Sequence, residues 1–103
     1  MTTSSVAPAS VQVGGYSSWD FTISPDAAAI LNAALHVVGV NYTPIAVATQ
    51  VVAGTNYVFL SKAVVVAPNA PQRAVKIYIF QPLPGQGDPH VTQILDVSPA
   101  PNA

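Results

Sequence analysis

Cysteine is missing from the 103 residues and so is glutamate, and only three Lys/Arg and four Asp carry a fixed charge. Without thiols the fold rests on no disulfide and no thiolate metal site, and it would keep its shape in a reducing compartment. Three cations do not make a basic patch, which argues against nucleic acid as a partner. Asp and His show no recognisable metal-ligand spacing, so no metal and no cofactor is expected. No apolar run approaches the roughly 18 residues that suggest a membrane span, and no membrane partner is expected. The N-terminal residues lack the basic start and apolar run of a signal peptide, which points to a cytoplasmic chain unless a leader has been removed from a secreted form.

Half of the residues are apolar, and the length suits one domain with a single core. Ser, Thr, Ala and Pro dominate 1–12, read as a flexible arm, and the Pro-rich 98–103 reads as a flexible tail. The domain itself is expected over 13–97. Tyr16 to Ile23 alternates as a short strand with Trp19, Phe21 and Ile23 on one face. Ser24-Pro25-Asp26 then announces a helix: Ser24 caps free amides, Pro25 suits the first helical position, and Asp26 faces the positive end of the dipole. Ala27, Ile30, Leu31, Ala34, Leu35 and Val38 form its apolar stripe, and Gly39 supplies the stop.

After Gly39 the periodicity becomes that of strands: Tyr42 to Val52, Asn56 to Val66, Arg73 to Phe80, and Val91 to Val97. Pro68-Asn69-Ala70-Pro71 and the Pro/Gly-rich 81–87 break this run. Consecutive strands joined so closely pair antiparallel, which predicts an α+β fold with one helix packed across a four- to five-stranded antiparallel sheet. In such a meander the loops at Gln50 to Gly54 and at Pro82 to Gly87 share one end of the sheet. Gly14 and Gly15, at the start of the edge strand, join them there.

Gln50-Val51-Val52-Ala53-Gly54 matches the Gln-x-Val-x-Gly first loop of the cystatin family, and the match continues through Thr55-Asn56-Tyr57. Leu83-Pro84-Gly85-Gln86 looks like the second loop of the stefin branch, and Gly14-Gly15 stands in the place of the N-terminal glycine. The chain therefore resembles stefin-like (type 1) cystatins over Val13 to Val97. The resemblance implies a reversible competitive inhibitor of papain-like cysteine peptidases. Val51, Val52, Ala53 and Gly54 would enter the active-site cleft, Leu83, Pro84 and Gly85 would contact its leaving-group side, and Val13 would take the apolar pocket on the acyl side. Gly14 or Gly15 gives the arm the backbone freedom to reach that pocket. A helix shorter than in stefins, a longer loop around Pro68 to Pro71 and the scarcity of charge depart from the family.

Other readings are weaker. Asp88-Pro89-His90 with His36, and Ser17, Ser18 or Ser61 as a nucleophile, is the nearest approach to an acid–base constellation; a solvated turn is the simpler account, and no enzyme is expected. Tyr16, Trp19, Tyr42, Tyr57 and Tyr78 admit a stacking platform, although core and strand-face positions fit them better. The alternative function is a cystatin-fold interaction or oligomerisation module without peptidase inhibition. A monomer is expected, with a strand-exchanged dimer open to a hairpin whose apolar pattern continues across Gln50 to Gly54.

Overall fold

The computed structural model describes residues 15–97. Within them one helix packs on a four-stranded antiparallel sheet, the α+β arrangement that the periodicity predicts and a cystatin-like one, as the resemblance implies. Helix α1 spans Pro25–Ala34, with Ser24 Oγ accepting from the Ala27 amide at 3.1 Å and Pro25 in the first turn. Ala27, Leu31 and Ala34 are its buried positions, the i, i+4, i+7 stripe of a helix lying on a core. The helix does not reach Val38. Leu35 is already extended, its amide closing the last turn on Leu31 O, and Val38 is 97% exposed. Val37 and Val38 are β-branched and form helix poorly. Gly39, with φ +90°, turns the chain into the sheet instead of stopping the helix, and its carbonyl accepts from the Val66 amide at 2.9 Å.

The strands β1 (Val40–Val52), β2 (Gly54–Val65), β3 (Gln72–Gln81) and β4 (His90–Asp96) pair in that order, each with its neighbour antiparallel. All four begin one or two residues earlier than their alternation predicts. Between Pro44 and Ala46 the register of β1 shifts, because Pro44 has no amide for the ladder and Ile45 is an extra residue. Tyr42 before this bulge and Val47 after it consequently both face the helix. Val47 lies opposite Phe59 in the core, whereas Ala46 and Ala48 lie opposite Leu60 and Val58 on the other face of the sheet, where Ala46, Ala48 and Val58 are buried as well.

Phe59, Val75, Ile77 and Ile79 are sealed from solvent beneath α1. Burying each of these side chains stabilises the fold by roughly 1.5–3 kcal/mol. Alanine at two of the three buried helix positions keeps the helix backbone close to the sheet. Ser61 is the buried polar residue among them, and its hydroxyl donates to Phe59 O at 3.4 Å.

The strand expected from Tyr16 to Ile23 is reduced to two isolated antiparallel bridges with β1, Tyr16 to Gln50 and Asp20 to Val47. Four steps along this segment match three along β1, so the alternation slips by one between the bridges. Phe21 is 69% exposed and Trp19 is also exposed, and of the expected apolar face Ile23 alone packs on the core. Asp20 Oδ1 accepts from the Thr22 amide at 2.9 Å, an Asx turn that ends the pairing. No helix among the described residues is long and apolar enough to cross a membrane.

Ile77 and Val38 test this boundary of the core. Ile77→Ala should lower the urea unfolding free energy by about 2–5 kcal/mol, and Val38→Ala should change it by no more than about 0.5 kcal/mol. A large loss at Val38 would mean that the helix continues onto the sheet.

Candidate functional site

The β1–β2 hairpin closes with Val52 opposite Gly54, leaving Ala53 alone at the turn. Val51 and Val52 are two-fifths exposed and Ala53 is exposed, so three small apolar residues project at this end. Gly54 does not project. It is buried, with φ +119°, and a β-carbon there would stand 2.5 Å from the Gln81 carbonyl oxygen and 2.9 Å from the Phe80 ring. Its missing side chain thus serves the approach of β3 to β2. Gln50, also part of the motif, is half-buried and accepts at 2.8 Å from Asn56 Nδ2 directly across the hairpin.

Because β1, β2, β3 and β4 form a meander, the β3–β4 connection lies at the same end as the β1–β2 turn, with Gln81 opposite Thr55. In it the Gln86 amide donates to Leu83 O at 3.0 Å, closing a turn with Pro84 and Gly85 at its centre. Gly85 has φ +81°, which together with Pro at the preceding position is the pattern of a type II turn. Leu83 is 44% exposed, and Pro84 and Gly85 are exposed.

The edge segment reaches the same end. Tyr16 bridges Gln50, which sets Gly15 one residue nearer the first turn, and the segment is fixed to β1 by Ser17 N–H donating to Thr49 O at 2.8 Å and Thr49 N–H donating to Ser17 Oγ at 3.0 Å. Val13 and Gly14 lie outside the described residues. The pairing thus brings Gly15, Val51 to Ala53 and Leu83 to Gly85 to one end of the sheet, with Gln50 and Gly54 built into its base.

The acid–base candidates meet other partners. His90 Nδ1 lies 3.2 Å from the backbone oxygen of Asp88, not from its carboxylate. Ser61 is buried beneath α1, and Ser17 Oγ is engaged with Thr49 and with Ser18 O. The aromatic candidates divide between the faces: Tyr42 and Tyr57 pack against the helix-side core, and the Tyr57 ring stacks on Phe59 at 6.0 Å.

One feature escaped the reading of the sequence. A cavity of about 420 Å³ lies between the edge segment and the N-terminus of α1, lined by Ser18, Asp20, Thr22, Asp26 and Tyr57 among others. The spacing of Ser, Thr and Asp through 17–26 is its trace in the sequence. Among the described residues no group of three or more His, Cys, Asp or Glu could hold a metal ion. Burial pushes the Tyr57 phenol above its ordinary pKa, and the Asp26 carboxylate adds to the rise; Tyr16 is raised likewise, by burial first and then by Tyr78.

Gly54→Ala should cost about 2 kcal/mol or more in a urea titration, since it combines left-handed strain with a backbone clash. A neutral effect would mean that β3 does not press on the hairpin. The raised tyrosines predict an alkaline limit. Their stabilising contribution is complete below the unfolded value of about 10 and is lost as pH rises through the higher folded values. The melting temperature should therefore fall above about pH 10, less steeply in Tyr57→Phe. An unchanged slope in that variant would remove Tyr57 from the account.

Compared with known families, curated proteins and solved structures, the chain shows no match to any family model, any curated protein or any solved structure.

Proposed function

We propose that this protein is a member of the cystatin family, stefin-like, that inhibits papain-like cysteine peptidases reversibly by occluding the active-site cleft. The observation that carries the reading is the convergence of Gly15, Val51 to Ala53 and Leu83 to Gly85 at one end of the sheet. The order of these three motifs along the chain supports it further.

A papain-like peptidase keeps its nucleophile as a thiolate beside an imidazolium at the bottom of a cleft. An inhibitor that fills the cleft without presenting a cleavable bond needs shape and rigidity, not reactive groups. Val52 and Ala53 give apolar contact at low profile, and neither carries a long side chain to immobilise on docking. The Pro84–Gly85 turn is held by its own hydrogen bond. Both loops hang from strands paired along their length, so the wedge is ordered before it meets its target. The chain acts as a monomer in this reading and performs no catalysis. A strand-exchanged dimer would straighten the first turn and silence it.

Gly54 is unsuited to testing contact, since any side chain there disturbs the sheet. Ala53 is suited, being exposed at the turn. The protein should abolish papain turnover at near-stoichiometric ratio and release active enzyme on dilution. Ala53→Glu should weaken inhibition by about 30-fold or more, as expected for a charge forced into an interface hot spot, with its melting temperature unchanged. Equal inhibition by this variant would remove the first loop from the interface, and no inhibition by the native chain would leave a cystatin-fold interaction module as the better reading.

A further inference from the structure

One transverse row of side chains crosses every strand just below the two turns. Tyr16 bridges Gln50, Gln50 pairs with Asn56, Asn56 with Phe80, and Phe80 with His90. Gln50, Asn56 and Phe80 lie on the face of the sheet away from α1, the face of Ala48 and Val58. Asn56 turns toward β1 and donates to Gln50 Oε1 at 2.8 Å. The Phe80 ring reaches across to β2 over Gly54, where its Cε1 and Cζ atoms come within 2.9 Å of the place a β-carbon would occupy. On its β4 side the same ring meets His90 nearly edge-on, at 5.9 Å between centroids and 74° between planes. His90 in turn lies against Asp88 O in the second loop.

Phe80 therefore touches the base of the first hairpin through Gly54 and the neck of the second through His90. We propose that Phe80 is a positioning residue that couples the two hairpins, so that the first and second loops hold one relative geometry and dock as a unit. The proposal rests on the inhibitor reading for its consequence, although the coupling itself is a property of the free protein. Two loops tethered separately would each lose freedom on entering a cleft. Loops that share one packed ring have lost much of it already. Gly54 then has a second role beyond permitting positive φ: it is the seat into which the ring fits.

The test perturbs one hairpin and reads the other. His90→Ala removes the ring contact on the second-loop side, and hydrogen exchange is followed at the Val52 and Ala53 amides of the first hairpin. Exchange there should speed up by about threefold or more in the native background and should not respond to the same change when Phe80 is already leucine, the non-additivity expected of groups in contact. Phe80→Leu is chosen because it keeps an apolar side chain in place; Phe80→Tyr, which keeps the ring, should restore the response. Tip amides indifferent to His90→Ala, or equally responsive in both backgrounds, would overturn the coupling. Papain inhibition by the same proteins separates the two ideas. Phe80→Leu should inhibit about tenfold less well and Phe80→Tyr nearly as well as the native chain. Coupled exchange in a protein that does not inhibit papain would overturn the inhibitor reading alone, and inhibition without coupled exchange would overturn the role of Phe80 alone.

Discussion

Between Gly54 and the carbonyl of Gln81 there is no space for a β-carbon, and much of the molecule is organised around that approach. It lets β2 begin its pairing with β3 immediately after the first turn, with Thr55 already opposite Gln81. That register carries Phe59 and Ile77 opposite one another beneath the helix, and Val58 opposite Tyr78 on the other face. A slip by one residue would exchange the two faces and carry Phe59 and Ile77 away from the helix. A glycine that looks like part of an exposed loop is thus a constraint on the whole sheet, and the loop owes its position to it.

The fold was legible where local chemistry and periodicity agree. Ser24, Pro25 and Asp26 start a helix by three separate mechanisms, and the helix begins where they stand. The long alternating runs of β2 and β3 allow no other reading. Legibility failed where the outcome depends on a partner distant in sequence. Trp19, Phe21 and Ile23 alternate correctly, yet the Asx turn at Asp20 and the slip between the two bridges leave only Ile23 on the core. Val38 continues the helical stripe on paper, but the chain must already be turning toward β1, where Val40 and Tyr42 have core positions to fill. The bulge at Pro44 was marked by the proline, although its consequence, the change of face between Tyr42 and Val47, needs the β2 partner to be seen.

The site divides along the same line. Which segments meet at one end follows from strand order and could be read in advance. Which residues of the motif project and which are structural could not, because burial of Gln50 and Gly54 is decided by Asn56, Phe80 and Gln81 on other strands. The polar cavity near α1 is hidden in the sequence for a related reason: most of its hydroxyls and carboxylates come from a segment whose alternation suggests a strand with an apolar face.

Scarcity of charge gives the arrangement its physical character. The ion pair between Arg73 and Asp96, at 3.1 Å, is exposed on both sides, and such pairs contribute about 0–1 kcal/mol. The fold is therefore held by apolar burial and backbone pairing, and its polar side chains are used locally: Ser24 caps a helix, Ser17 clasps an edge, Asn56 ties β2 to Gln50, and Asp20 ends a segment. Three of these bonds hold a backbone amide and the fourth ties two side chains across the first hairpin, while valine, alanine, leucine, proline and glycine form the tips of the two turns. In the inhibitor reading proposed above, such a surface is asked only for a shape held in advance.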